Sequence, residues 1–142
     1  MDAVSRLETH HVRLSVQRIA IMRYLMEHLT HPTVDEIYTA LSPSIPTLSK
    51  TTVYNALKLL SEQGAIQTLT IDEHYTCYDA EILPHAHFLC KRCGKIYDVE
   101  GGLGKVKEIE GHCVQEVHAY YKGICKDCQE KEVFLKENEI TN

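Results

Sequence analysis

Two C-x-x-C pairs, Cys90–Cys93 and Cys125–Cys128, are separated by 31 residues, and His85-Ala86-His87 stands just ahead of the first. Thiolates at this spacing make a tetrahedral zinc site, because two intervening residues let one knuckle turn present both sulfurs to the same ion. Gly94, directly after the first pair, relieves the tight backbone there. Four thiolates leave no open coordination position, so such a site is structural and not catalytic. The metal would clamp the first knuckle to a last helix starting at Cys125, and its loss is expected to unfold the second half. Two reversible disulfides or a rubredoxin-type iron site are the other readings that this spacing permits.

Imidazoles and carboxylates around the cysteines suggest a second, different site. His85 and His87 are i and i+2, so on an extended strand both point to one face. Asp79 lies six residues before His85, and Asp98 lies in the strand that the knuckle folds back alongside His87. His31, before Pro32, belongs to the first half. Imidazole with carboxylate suits ferrous iron, manganese or zinc, and two carboxylates tilt the choice toward iron or manganese. With nine histidines in the chain, an exposed H-x-H also arises without any metal, so the residues alone leave this site open. His118 sits in a β-like run in which Val117, Ala119 and Tyr121 share the opposite parity, which favours an exposed or hydrogen-bonded role.

The elements that must position these groups follow from pattern. Residues 2–10 form a short helix. Ser15 caps a helix to about His28, with Val16, Ile19, Ala20, Met22 and Met26 on one broad face. Pro32-Thr33 starts another, in which Val34, Ile37, Tyr38 and Leu41 recur at helical spacing. After the breaker-rich 42–46, Ser49 caps a third long helix to about Gln63, ended by Gly64. Ala65–Thr70 and Tyr75–Tyr78 read as a hairpin around Asp72-Glu73. Helix, helix, exposed helix, hairpin is the order of a winged helix-turn-helix. The second half reads β, β, α, β, α. Phe88–Cys90 and Lys95–Val99 flank the knuckle, Leu103–Glu110 is a short helix, Val114–Tyr121 a strand, and Asp127–Glu137 a charged terminal helix.

The fold class is therefore α+β, with an N-terminal winged helix-turn-helix followed by a small α/β domain that carries the four-cysteine zinc site and whose sheet could pair across a dimer axis, as expected of a dimerisation domain. The expected boundaries are 1–78 for the DNA-binding domain, 79–84 for a hinge at Ile82-Leu83-Pro84, and 85–142 for the dimerisation and metal-binding domain. At 142 residues the chain can hold two such small domains, each with a marginal core that gains from a metal or a partner. No apolar run is long enough to span a bilayer, and the N-terminus lacks the features of a secretory signal. A cytoplasmic protein, with thiols kept reduced, is the expectation. The net charge of −5, with six Lys/Arg against eight Asp/Glu in residues 1–78, excludes a broad basic field for non-specific nucleic-acid binding. Any DNA contact must come from a few well-placed groups.

Four stretches, in order, resemble the ferric uptake regulator (Fur) superfamily of bacterial metal-dependent repressors. They are Arg13-Leu14-Ser15-Val16-Gln17-Arg18, His31-Pro32-Thr33-Val34-Asp35-Glu36-Ile37-Tyr38, Thr52-Val53-Tyr54-Asn55-Ala56-Leu57, and His85 through Lys95, followed by the second cysteine pair. The resemblance runs from about Arg13 to Cys128. It implies a regulatory ion, Fe(II) or Mn(II), held by His31, Asp79, His85, His87 and Asp98, beside structural Zn(II) on the four cysteines. Iron-uptake members usually carry Glu where this chain has Asp98 and Arg where it has Asn55. The peroxide-sensing, PerR-type members resemble it at both places. In those, peroxide oxidises a ligand histidine, here expected at His31 or His85, and the repressor leaves its operator. The alternative is a ferric-uptake (Fur) or zinc-uptake (Zur) type regulator that senses metal occupancy only.

The chain also departs from the superfamily pattern. Pro84 and Ala86 stand where many iron-uptake members have further ligands, so that extra site is expected to be absent. His118 is seven residues before Cys125 where eight is usual, and Cys77 and Cys113 fall outside the zinc set.

On the third long helix, Thr51, Tyr54, Asn55 and Lys58 share the non-core face. That face would enter a major groove, with Asn55 able to pair with an adenine edge and Tyr54 able to touch a thymine methyl. Arg13 resembles the superfamily's basic residue that reaches the backbone or minor groove. A homodimer implies a palindromic double-stranded operator. A zinc enzyme built on His85 and His87 lacks a candidate general base and a substrate pocket signature, so no enzymatic activity is expected.

Overall fold

A computed structural model describes residues 1–70, 75–82, 85–100 and 106–132. The chain divides into two compact units, Met1–Leu83 and Pro84–Asn142.

In the first unit each helix begins at a side chain able to satisfy its open amide groups. Asp2 caps α1 (Ala3–Thr9), Ser15 caps α2 (Val16–Glu27), Thr33 caps α3 (Val34–Leu41) and Ser49 caps α4 (Lys50–Glu62), each accepting from a backbone N–H three residues on. Such caps stabilise a helix by about 1 kcal/mol each. Asp35 and Glu36 add favourable charge to the first turn of α3. α4 ends at Gln63 and Gly64, the latter at φ 75°, where a left-handed residue turns the chain away. The core is one cluster in which Leu7, Ile21, Met22, Leu25, Ile37, Val53, Leu57 and Leu60 are buried. Their spacing on α4 leaves the opposite stripe of that helix to solvent.

β1 (Gln67–Leu69) and β2 (Cys77–Asp79) form the antiparallel hairpin, with Gln67 opposite Asp79 and Leu69 opposite Cys77. The connection at 71–74, where the turn at Asp72-Glu73 and His74 is expected, lies outside the described residues. The stretch before α3 closes on β2: Thr33 bridges Cys77 in antiparallel sense, and Tyr78 N donates to Pro32 O at 3.0 Å. Asp79 is the last residue of β2 and is buried. With α2, α3 and α4, the hairpin makes a winged helix-turn-helix.

In the second unit β3 (Ala86–Cys90) is central. β4 (Ile96–Val99) flanks it antiparallel and β7 (Tyr120–Gly123) flanks it parallel. A separate hairpin pairs β5 (Glu108–Ile109) with β6 (His112–Cys113). This corrects the helix expected over Leu103–Glu110. Residues 101–105 lie outside the description, but 108–109 are strand. Glu110 at φ 50° and Gly111 at φ 84° make a two-residue turn with both φ positive, the geometry that closes a tight hairpin. The strand expected over Val114–Tyr121 is displaced: 114–119 has no regular structure, and pairing with β3 starts at Tyr120. Residues 126–132 are helical, and the rest of the expected terminal helix lies outside the described residues.

Candidate functional site

The knuckle between β3 and β4 is tight. Gly94 N donates to Cys90 O at 2.9 Å, Cys90 N donates to Lys95 O at 3.0 Å, and Gly94 takes φ 75°. This turn brings Cys90 and Cys93 to one side. The end of β7 is held there because Lys91 N donates to Gly123 O at 2.7 Å, which delivers Cys125 and the helical turn bearing Cys128. The four sulfur atoms lie within 4.8 Å of one another. Cys90 Sγ is 3.8 Å from Cys128 Sγ, and Cys93 Sγ is 3.9 Å from Cys125 Sγ. A tetrahedron with zinc–sulfur bonds of about 2.3 Å has edges of about 3.8 Å, so the donor set fits a zinc ion.

The backbone prepares these sulfurs for negative charge. Cys93 N and Cys125 N point at Cys90 Sγ at 3.4 and 3.3 Å, and they hold the Cys90 thiol down at about 6. Cys125 is also lowered, first by the hydroxyl of Tyr97 and then by the Cys128 amide, whose N is 3.4 Å from Cys125 Sγ. Cys128 is pushed up, because it supplies the proton shared with Cys125 and because it is buried. Tyr97 is a residue that spacing rules do not find. It lies on β4 opposite Phe88, and only the fold brings its hydroxyl to a thiolate. Arg92 Nη1 meets Glu132 Oε2 at 3.1 Å, which links the knuckle to the last helix.

The other expected ligands fall into one set in each unit. In the first, His31 Nε2 is 3.4 Å from Asp79 Oδ2, with both side chains almost wholly buried. His31 has φ 58°, a left-handed backbone that few non-glycine residues adopt. Asp79 Oδ1 accepts from Glu81 N at 2.9 Å. In the second unit His87 is opposite Asp98 in the β3–β4 register. Asp98 Oδ1 is 3.1 Å from His85 Nε2 and 3.2 Å from His87 Nε2, and the two imidazoles lie 4.3 Å apart between ring centroids. Each set offers imidazole nitrogen with carboxylate oxygen, the donor chemistry of ferrous iron or manganese. His118 is 40 % exposed and pairs with Glu116 at 3.2 Å.

On α4 the expected reading face is exposed: Thr51, Tyr54, Asn55 and Lys58 all face solvent, while Val53, Ala56, Leu57 and Leu60 are buried. Tyr54 is 52 % exposed, a large aromatic surface on an otherwise polar stripe. Arg13 is exposed in the segment between α1 and α2, and Arg18 Nη1 donates to its carbonyl at 2.8 Å, which fixes that segment. Among the described residues no helix is long and apolar enough to cross a membrane.

A winged helix-turn-helix, a four-cysteine cluster that fits zinc and histidine–aspartate sets define a class of metal-dependent transcriptional regulators. The chain belongs to the ferric uptake regulator family, whose model matches residues 9–122. Members of that family are regulators and not enzymes. The chain is 36 % identical over 135 residues to the peroxide-responsive repressor PerR of Staphylococcus aureus, covering 92 % of this chain and 91 % of that protein. Among solved structures it is similar to PerR from Streptococcus pyogenes, described for peroxide sensing and gene regulation. That match has 33 % identity and a TM-score of 0.52, covering 91 % of this chain and 95 % of the other. The ferric uptake regulator of Pseudomonas aeruginosa with manganese shares the fold at a TM-score of 0.69 and 19 % identity, covering 89 % of this chain and 99 % of that one.

Proposed function

We propose that this protein is a cytoplasmic, peroxide-responsive repressor that binds a palindromic operator as a homodimer. The Met1–Leu83 unit reads DNA through Arg13, Thr51, Tyr54, Asn55 and Lys58, and the Pro84–Asn142 unit pairs the chains. Cys90, Cys93, Cys125 and Cys128 hold structural Zn(II). His31, Asp79, His85, His87 and Asp98 are the ligands of a regulatory Fe(II) or Mn(II).

The observation that carries this reading is the carboxylate of Asp98 within 3.1 and 3.2 Å of two imidazoles. An aspartate there, where iron-uptake members usually carry glutamate, resembles the peroxide-sensing branch, and the similarity to peroxide-responsive relatives points the same way. Ferrous iron, when bound, supplies one-electron chemistry toward hydrogen peroxide that Mn(II) does not. His31 or His85 would gain one oxygen atom at a ring carbon, the C–H hydrogen staying with the ring as O–H or N–H and the other peroxide oxygen leaving as water, and the oxidised ring would be a poorer ligand. A ligand set drawn from both units would make DNA affinity depend on the ion, because only the bound arrangement presents two reading helices at operator spacing.

The test uses protein loaded anaerobically with ferrous iron or, separately, with manganese. A palindromic operator is first selected from random duplexes with the manganese form. Low-dose peroxide should release the iron form only, and mass spectrometry should find one added oxygen on the His31 or His85 peptide. Unchanged DNA binding with unmodified histidines would instead assign the protein to pure metal sensing, as in iron- or zinc-uptake control.

A further inference from the structure

Arg6 lies on α1, outside every group assigned above. Its Nη1 donates to Ala65 O at 3.0 Å and to Ala80 O at 2.7 Å. Ala65 leads into β1, and Ala80 directly follows Asp79 at the end of β2. One guanidinium nitrogen therefore ties together the two open ends of the hairpin. Both alanines are buried, so their carbonyls depend on partners within the protein. A charged donor makes such contacts strong and directional.

The Ala80 carbonyl is not an incidental acceptor. Glu81 N donates to Asp79 Oδ1, so residues 79–81 form a side-chain-closed turn with the Ala80 peptide in its middle. That turn engages Oδ1 and leaves Oδ2 as the oxygen facing His31 Nε2. Rotation of the Ala80 peptide would move Glu81 N, and with it the carboxylate that N–H orients. α1 can hold Arg6 firmly: Ala3 and Leu7 are buried in the core, and His10 Nδ1 sits 3.1 Å from Gln63 O at the end of α4.

We propose that Arg6 is a positioning residue for the regulatory metal, fixing the turn that aims Asp79 Oδ2 at His31. The inference rests on the reading of Asp79 as a regulatory ligand. The side chain does not touch the ion; it sets the angle at which one ligand oxygen is offered. Supporting groups of this kind typically change metal affinity by about 10- to 100-fold when removed.

The experiment titrates the zinc-loaded, full-length protein with Mn(II) and reads the free ion by electron paramagnetic resonance. Arg6→Met keeps the aliphatic stem and removes the donors; it should weaken Mn(II) binding by about tenfold or more while zinc content and helical circular dichroism stay as in the parent. Arg6→Lys, whose ammonium can also donate to both carbonyls, should recover most of the affinity. A merely structural role would lower the melting temperature of Arg6→Met and leave its Mn(II) affinity intact, and that outcome overturns the inference. Should Arg6→Met fail to fold, Arg6→Leu, which equally lacks donors, replaces it, and parental affinity there is equally fatal. An Asp79→Asn arm separates the two layers. Unchanged affinity in Asp79→Asn sinks the ligand assignment itself, whereas loss in Asp79→Asn with none in Arg6→Met sinks only the role of Arg6.

Discussion

His87 faces Asp98 across the β3–β4 ladder, with His87 Nε2 3.2 Å from Asp98 Oδ1. His31 also meets an aspartate, its Nε2 3.4 Å from Asp79 Oδ2, but from a left-handed backbone outside any strand. The Thr33–Cys77 bridge and the hydrogen bond from Tyr78 N to Pro32 O hold the segment before α3 beside β2, which brings His31 to Asp79. Each unit thus sets a histidine beside an aspartate of a neighbouring segment, across a ladder in the second and from a left-handed residue in the first. Main-chain hydrogen bonds fix these pairs, so the donors are largely oriented before any ion arrives.

Asp98→Asn is nearly isosteric and keeps one oxygen near the imidazoles but removes the charge. Mn(II) affinity is expected to fall by about tenfold or more, with zinc content unchanged. Calorimetric titration of the zinc-loaded protein checks this, and parental affinity would remove Asp98 from the regulatory ligands.

Cys125→Ser should abolish zinc binding and cost the second unit its order, because Cys125 joins the knuckle to the last helix through the metal. Elemental analysis should give a metal-poor protein, and near-ultraviolet circular dichroism should lose the Tyr97 and Tyr120 contributions. The α-helical signal of the first unit should survive, since its core contains none of the four cysteines.

Zinc uptake should release fewer than four protons at pH 7.5. Cys90 is depressed to about 6 from an ordinary 9.0, so it is already a thiolate there. A group lowered on folding contributes stability that is full above its unfolded value and fades as the pH falls through its folded value. Acid therefore weakens the metal-free cluster and zinc binding together, and the proton count should climb toward four below about pH 6. Buffer-dependent calorimetry gives the count, and a constant value of four from pH 7.5 to 5.5 contradicts the preformed site.

Asn55→Ala and Lys58→Ala should weaken DNA binding in different ways. Loss of an amide pairing with one adenine costs about 1–3 kcal/mol and relaxes preference at that base pair alone. Loss of a phosphate contact from Lys58 lowers affinity for all sequences and reduces the salt slope by about 1. Competition assays with single-base operator variants at several salt concentrations distinguish these. Equal effects on every duplex from Asn55→Ala would show that the residue reads no base.

Much of the first unit was legible in the sequence because its signals are local. Ser15 and Ser49 announce their helices one residue ahead, and the stripe Val53, Ala56, Leu57, Leu60 already separates the buried face of α4 from Tyr54, Asn55 and Lys58. The knuckle was legible for the same reason, since Cys90, Cys93 and Gly94 act within one turn. Pairings across distance were not. Glu108-Ile109 sits among charged residues that suit a helix, while Gly111 is half of a two-residue turn. Tyr120 joins a parallel ladder with β3, whose register no nearby residue specifies. Asp79 was expected in a hinge, yet its place at the end of β2 depends on pairing with Gln67, twelve residues earlier. Tyr97 and Arg6 carry no signature at all, for their partners are chosen by the tertiary fold.

The backbone of His31 bears on how any mutant of this position is to be understood. At φ 58°, ahead of a proline, an ordinary side chain carries a conformational penalty of about 1–2 kcal/mol. His31→Ala deletes the imidazole and keeps that burden, whereas His31→Gly deletes the imidazole and lifts it. The glycine form should melt higher than the alanine form while both lose the ion alike, so the difference between the two weighs the loop itself, free of its chemistry.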